Sequence, residues 1–370
     1  MSVFVLAAGG TGGHLFPAEA LAARLLAEGG TVHLTTDGRV DAFSERMPGV
    51  AVRQVRAGRL GGGPLRAACG IADIAVGIVQ ARRLLRQLRP GAVVGFGGYA
   101  SVPTMIAAAQ LGLPTVIHEQ NAVLGRANRM LAPRARSIAT GFPETIGLRP
   151  QDRDRALHTG NPVRPAILAV GSTPYAPPSP EGAIELLVFG GSQGASAFAE
   201  LVPAALALLP EAGRARLRLC QQARPEDRAA VTERLAALGV AAEVATFFTD
   251  MPERLARAHL VICRAGASTI AELAASGRPA LLIPYPHAMD DHQNANARAF
   301  AASGGGWAVS QADVPPAILA GRLAELFGNP AALQLAAAAA RSFARDDAAE
   351  RLSALVLAAA LAPQIAERAA

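Results

Sequence analysis

Two glycine-rich turns constrain this chain more than any other feature, because each joins a hydrophobic strand pattern to an alanine-rich helix pattern. The first, Gly9-Gly10-Thr11-Gly12-Gly13-His14, follows Val3-Phe4-Val5-Leu6. The second, Gly190-Gly191-Ser192-Gln193-Gly194, follows Leu186-Leu187-Val188-Phe189 about 180 residues later. A strand that turns through glycine into a helix offers unpaired N–H groups at the helix start, and these attract an anion. One such turn is weak evidence. Two, at matching places in two halves, predict a pair of Rossmann-like domains facing each other, each with its ligand crevice beyond the carboxyl ends of a parallel sheet.

The pattern between the turns supports this. Strands are expected at 3–6, 32–35, 52–55, 93–96, 115–118 and 138–140, with helices at 17–27, 65–88, 103–111 and 124–131. Continuous apolar strands alternating with helices indicate a parallel sheet covered on both faces. A proline-rich stretch, 171–180, reads as a linker. The alternation then restarts with strands at 184–189, 217–220, 243–247, 260–263 and 280–284 and helices at 195–208, 225–238, 268–275 and 294–302. From Pro315 the chain reads as helical, and 348–360 is expected to pack back on the first domain. The halves share order more than sequence, an architectural duplication and not a tandem repeat.

Composition narrows the chemistry. The 370 residues are 51% hydrophobic and 17% charged, enough for two cores. No apolar run reaches a bilayer span, and no secretory signal is evident at the start. Three widely spaced cysteines, Cys69, Cys220 and Cys263, fit a reducing compartment. The net charge is +6 and all of the Lys+Arg total is arginine. Without lysine there is no P-loop lysine and no Schiff base. Excess positive charge favours phosphorylated substrates, anionic lipid or nucleic acid, and 4% aromatic residues leave few bases stacked, so nucleic acid ranks last.

Several segments carry chemistry at strand ends. His14, at or just past the first helix start, suits a general base because an ordinary imidazole titrates near neutrality, or else a capping or substrate-bonding role. The first turn fails the dinucleotide fingerprint, since Leu15 stands at its last glycine position; Asp37 imitates a ribose-binding acid but also reads as a turn residue before Gly38. His118-Glu119-Gln120-Asn121 clusters four polar groups at a carboxyl end, for a ligand or for local backbone groups. Gly95-Phe96-Gly97-Gly98-Tyr99 forms a third glycine turn, for close approach to a neighbour or simply a tight turn. In Arg264-Ala-Gly-Ala-Ser268-Thr269-Ile-Ala-Glu272, the hydroxyls and helix-start N–H groups suit a diphosphate and Glu272 a ribose; a serine capping box is the alternative. His287 to Asn294 has ligand residue types without metal spacing. Asp152-Arg153-Asp154 is formally D-x-D, in a connector that reads as a solvated charge cluster. Leu65–Arg89 interleaves aliphatic residues with Arg66, Arg82, Arg83, Arg86 and Arg89, a core helix with a basic end or a surface for anionic lipid.

Taken together, Gly9–His14, Gly95–Tyr99, His118–Asn121, Gly160-Asn-Pro-Val-Arg164, Gly190–Gly194, Arg264–Glu272 and His287–Asn296 closely resemble the MurG family of peptidoglycan glycosyltransferases, over about Val3 to Asn296. The resemblance implies the α/β GT-B fold, two Rossmann-like domains facing across a cleft. It implies residues 1–162 as the domain for acceptor and membrane, 163–342 for UDP-GlcNAc, and 343–370 as a returning helix. Donor contacts implied are Thr11, Gly12, Gly13, Asn121, Arg164, Ser192, Phe248, Ala267, Ser268, Thr269, Ile270, Ala271, Glu272 and Gln293. Glu272 would hold the ribose, Ser192 and the Ala267 helix start face the diphosphate, Gln293 meet the sugar, and backbone near Phe248 read the uracil. Gly10, Thr11, Gly12, Gly13, Gly98 and Tyr99 would take the diphosphate of the acceptor, lipid I, with His14 or Glu119 at its hydroxyl. Here Ser268 replaces a leucine expected in many relatives, and His292-Gln293 a pair of glutamines. The implied reaction is inverting transfer of GlcNAc to the MurNAc C4 hydroxyl, without metal or other cofactor. Peripheral attachment to the cytoplasmic face of the inner membrane, on anionic lipid, and contact with cell-wall and division proteins follow from the same likeness. A non-hydrolysing UDP-GlcNAc epimerase, a nicotinamide oxidoreductase and an idle membrane scaffold are the alternatives.

Overall fold

The computed structural model of the chain describes residues 2–9, 12–38, 47–58, 63–190 and 196–369, with side chains at all of these but 12, 64–67 and 362–369. Two compact units result, Met1–Arg164 with Arg345–Ala370, and Pro165–Ala344.

The first unit runs β1 (Val3–Ala7), α1 (Gly12–Ala27), β2 (Thr31–Thr36), β3 (Ala51–Gln54), α2 (Pro64–Leu88), β4 (Ala92–Gly95), α3 (Gly98–Gln110), β5 (Thr115–Glu119), α4 (Arg126–Leu131), β6 (Ser137–Thr140) and β7 (Ala156–His158). Its strands are all parallel, in the order β3-β2-β1-β4-β5-β6-β7. The two-residue period of a strand explains why the apolar runs are continuous. Phe4 and Leu6 join Val32, Val94 and Val116 in the core on one face, while Val5 joins Val93, Ile117 and Ile138 on the other.

The second unit runs α5 (Pro165–Gly171), β8 (Ile184–Phe189), α6 (Ser196–Ala207), α7 (Glu211–Ala215), β9 (Leu217–Gln222), α8 (Pro225–Ala237), β10 (Ala241–Ala245), α9 (Met251–Arg257), β11 (Leu260–Cys263), α10 (Ala267–Ser276), β12 (Ala280–Leu282), α11 (His292–Ala302), β13 (Gly306–Ala308), α12 (Pro316–Phe327) and α13 (Pro330–Phe343). Its parallel sheet has the order β10-β9-β8-β11-β12-β13. The last helix, α14 (Ala348–Ala369), returns to the first unit, where Leu352, Val356 and Ala359 enter the core with Leu21 and Leu25. Ser353 Oγ donates to Glu28 Oε2 at 2.8 Å, tying α14 to the end of α1.

The strand orders place the motifs. Each sheet reverses direction of winding at one pair of neighbours, β1 and β4 in the first unit and β8 and β11 in the second. Ligands of open parallel sheets bind outside the carboxyl ends at that pair. In the first unit those ends carry Gly9–His14 and Gly95–Tyr99, and in the second Gly190 and Arg264–Glu272.

Three expectations need correction. Helices read from Pro17 and Pro103 start five residues earlier, at Gly12 and Gly98. Proline favours a first-turn position, which suggested starts there, yet both prolines lie inside the helices and each forgoes one backbone bond. The edge strands β7 and β13 have only three residues each and no apolar run to reveal them. Asp152 is not solvated: it is 1% exposed, with its Oδ2 2.7 Å from Arg149 Nε and Oδ1 bonded to Arg155, whereas Arg153 and Asp154 are exposed.

Candidate active site

In the first unit the early start of α1 puts His14 in its first turn. Gly97 and Gly98 adopt φ of +82° and +69°, the left-handed region that side chains resist. Both also face the His14 ring. A Cβ on Gly98 would lie 3.3 Å from His14 Cδ2 and 3.4 Å from Nε2, and one on Gly97 3.6 Å from Cε1. The third glycine turn therefore serves tight turning and close approach together. Gly9 packs as closely, since a Cβ there would come 2.5 Å from that of Ala100. Tyr99 is half-buried in the first turn of α3. Gly10 and Thr11 lie outside the described residues, and Gly12 is described as the first helical residue of α1.

The end of β5 is densely bonded. His14 Nδ1 lies 2.9 Å from Gln120 Oε1. Gln120 Nε2 lies 2.9 Å from His118 Nδ1 and 3.0 Å from the His118 carbonyl, and His118 Nε2 lies 3.2 Å from the Gly160 carbonyl. Asn161 Nδ2 donates to the Gln120 carbonyl at 2.9 Å. The Gly160-Asn161 pair of the Gly160–Arg164 motif thus braces the strand end, a role the sequence reading did not assign. Gly160 takes φ +81°, and a Cβ there would meet that of Arg345 at 2.5 Å. Arg164, expected at the donor, lies with its guanidinium 5.8 Å from the Phe16 ring centroid of α1.

Glu119, expected as an alternative base, is 2% exposed and each carboxylate oxygen takes two donors. Oε1 accepts from the Asn121 backbone N–H at 3.0 Å and Asn121 Nδ2 at 3.2 Å; Oε2 accepts from the Gly125 N–H at 2.8 Å and Asn128 Nδ2 at 2.9 Å. This carboxylate holds the loop 120–125 and orients Asn121. Asn128, 1% exposed on α4, also donates to the His118 carbonyl. It lies beyond the cluster visible in sequence, and only α4 packing brings it in.

In the second unit, α10 begins after Gly266, an extended residue that makes no side-chain cap bond, so Ser268 is not the cap and the capping-box reading fails. The free N–H groups of the first turn remain for an anion. Ser268, Thr269, Ala271 and Glu272 are half-buried, whereas Ala267 and Ile270 are buried, so the latter two can offer a ligand only backbone. Gln293 Oε1 accepts from the N–H groups of Ala265 at 3.2 Å and Tyr285 at 2.9 Å. That locks the loops after β11 and β12 and leaves the Gln293 amide nitrogen as its donor end. Asn296, fully buried, adds a bond to the Ala265 carbonyl at 3.0 Å. Arg264 clamps the same loops from below, donating to the carbonyls of Ile283 and Pro284. Phe248 is 5% exposed beneath the Arg254 guanidinium, 4.1 Å from its ring centroid, and Arg254 is held by Glu243 at 2.7 and 2.8 Å and Asp250 at 2.8 Å. Ser192 lies outside the described residues, though Gly190 donates its N–H to Gln222 Oε1 at 3.2 Å. Among the described residues no three His, Cys, Asp or Glu side chains gather as a metal site.

Two parallel sheets, each winding outward from one central pair of strands, have the architecture of the GT-B fold. Models of the glycosyltransferase family 28 N-terminal and C-terminal domains match residues 4–140 and 185–352. The chain is 57% identical over 360 residues to the UDP-N-acetylglucosamine–N-acetylmuramyl-(pentapeptide) pyrophosphoryl-undecaprenol N-acetylglucosamine transferase of Rhodospirillum centenum, covering 97% of this chain and 95% of that one. With the transferase of the same name from Paramagnetospirillum magneticum it shares 53% identity, covering 96% of each. A crystal structure of Acinetobacter baumannii MurG superposes with TM-score 0.80 at 30% identity, over 96% of this chain and 99% of that one. A UDP-GlcNAc 2-epimerase of Neisseria meningitidis, at TM-score 0.67 and 13% identity, shares the fold alone. The chain belongs to the MurG family of UDP-GlcNAc-dependent N-acetylglucosaminyltransferases.

Proposed function

We propose that the chain transfers GlcNAc from UDP-GlcNAc to the C4 hydroxyl of the MurNAc unit in undecaprenyl-diphosphate-MurNAc-pentapeptide, lipid I, giving lipid II and UDP. Near-full-length identity to transferases of that activity is the observation that carries the reading. The unit of residues 165–344 takes the donor, with Glu272 at the ribose, Gln293 at the sugar and the α10 N–H groups at the diphosphate. The first unit takes the acceptor diphosphate at the turns 9–14 and 97–99. His14 removes the hydroxyl proton as the oxygen attacks the anomeric carbon from the face opposite UDP, so configuration inverts. Glu119, with both oxygens committed to four donors, supports the loop. Helix-start N–H groups and Arg164 stabilise the charge leaving on UDP, and the reaction needs no metal.

The chain works at the cytoplasmic face of the inner membrane. Among the described residues no helix is long and apolar enough to cross it. The support for surface attachment is α2, where Ile71, Val76 and Val79 are 60%, 42% and 50% exposed and Arg82, Arg83 and Arg86 follow within two turns. Aliphatic groups enter the acyl boundary while arginines meet anionic headgroups.

The test is transfer from labelled UDP-GlcNAc to a lipid I analogue with and without EDTA. Transfer should survive EDTA, and His14→Ala should lower turnover by about 10²- to 10⁴-fold, as loss of general-base catalysis does. Epimerised sugar nucleotide with no lipid product would overturn the activity, and an unchanged kcat would overturn the base.

A further inference from the structure

A histidine base works only if its lone pair faces the proton to be removed, and a neutral imidazole has two tautomers. Here the choice is decided three bonds away, in a chain of hydrogen bonds that starts at a group with no freedom. The Gly160 carbonyl can only accept, so His118 Nε2, 3.2 Å away, carries a hydrogen and donates it. His118 is fully buried and neutral, so its Nδ1 is a bare lone pair. That lone pair needs a donor, which is Gln120 Nε2 at 2.9 Å. The amide cannot be reversed, because the same nitrogen donates to the His118 carbonyl at 3.0 Å, and reversal would set oxygen against oxygen. Gln120 therefore turns Oε1 to His14, and an amide oxygen accepts only. His14 Nδ1, 2.9 Å away, must carry the hydrogen. Nε2 is left with the lone pair, on the side of the ring where Gly98 lacks a Cβ.

We propose that Gln120 and His118 are positioning residues that hold His14 as the Nδ1–H tautomer and so make Nε2 the atom that takes the acceptor proton. The catalytic meaning rests on the reading of His14 as base given above. In the step, the acceptor O–H bond breaks and its proton goes to the Nε2 lone pair. The freed oxygen pair forms the bond to the anomeric carbon, and the pair of the breaking C–O bond leaves on the UDP β-phosphate oxygen. The imidazolium keeps its Nδ1–H on Gln120 Oε1, a bond strengthened by the new charge, and later gives the Nε2 proton to solvent. Asn161, on the Gln120 carbonyl, and Asn128, on the His118 carbonyl, fix the main chain that carries both relays.

The experiment reads the tautomer directly, by nitrogen NMR of histidine rings in the full-length protein labelled with ¹⁵N-histidine, with the His14→Ala spectrum assigning the His14 signals. In the wild type, His14 should show a protonated Nδ1 and a bare Nε2, and His118 the reverse. Gln120→Met should give His14 mixed tautomers and lower kcat about 10- to 100-fold. KM for UDP-GlcNAc should stay within about twofold. Gln120→Glu keeps an acceptor opposite His14 Nδ1 and, protonated on the oxygen that faces His118 Nδ1, keeps the donor there as well. It should preserve the tautomer and more kcat than Gln120→Met, where a purely structural role would make a buried acid at least as damaging. A wild-type His14 protonated at Nε2 overturns the proposal whatever the variants do. So does a Gln120→Met protein with wild-type tautomer and kcat. If the tautomer responds as stated but His14→Ala turns over at the wild-type rate, the base reading falls and the positioning stands.

Discussion

His118 has no exposed surface, and burial pushes its pKa down to about 4, with the Gly160 carbonyl bond opposing in part. In the unfolded chain the same ring protonates near 6.5. Below that pH the unfolded state binds a proton that the folded state refuses, so stability is full above 6.5 and declines as pH falls toward 4. The loss is roughly 3 kcal/mol at the lower end. Denaturant titrations across this window should show a shallower slope for His118→Asn than for the wild type, and equal slopes would refute the assignment of the proton. The pairing behind it was half legible: His118 to Asn121 stood out as a polar cluster after an apolar strand. What sequence lacked was the partner of each group, because Gly160, Asn161 and Asn128 arrive from other elements.

At the scale of elements, two supports of proposed binding surfaces are open to test. The Arg254 guanidinium of α9 covers Phe248, and Glu243 of β10 and Asp250 hold it there. Arg254→Met removes the stack that keeps the backbone at Phe248 in place, and KM for UDP-GlcNAc should rise about 3- to 10-fold with kcat unchanged. An unchanged KM would detach Phe248 from the nucleotide. On α2, Ile71 and Val79 lie eight residues apart on one face of the helix. Ile71→Asp with Val79→Asp should lower binding to phosphatidylglycerol vesicles about tenfold or more and leave the weak binding to phosphatidylcholine vesicles alike. Equal sedimentation of variant and parent would remove α2 from the membrane contact. Helix periodicity revealed α2 in full, whereas α1 and α3 were read short because Pro17 and Pro103 imitate first-turn prolines. The missing turns are the ones that carry His14, Gly98 and Tyr99, and their helical state depends on packing such as Gly9 against Ala100.

For the whole molecule, α14 matters most, since residues at the end of the chain complete the core built by its beginning. Leu352 has no exposed surface and packs with Leu21 and Leu25. Leu352→Ala should cost about 2–5 kcal/mol, the scale for a buried leucine truncated to alanine. Hydrogen exchange should then quicken in β1, β4 and α1 but not in β8 and β11; uniform loss would mean that the units do not unfold separately. The apolar strands, the helix periods and the glycine turns determine two parallel α/β sheets and the ends at which ligands bind, because those properties follow from local spacing and burial pattern. Only the tertiary structure decided that Glu119 is a loop anchor, that Asp152 is buried, and that Gly160, Gln120 and His118 settle which nitrogen of His14 is bare. Each of these depends on donors and acceptors distant in sequence meeting within about 3 Å, and a linear pattern does not encode that distance.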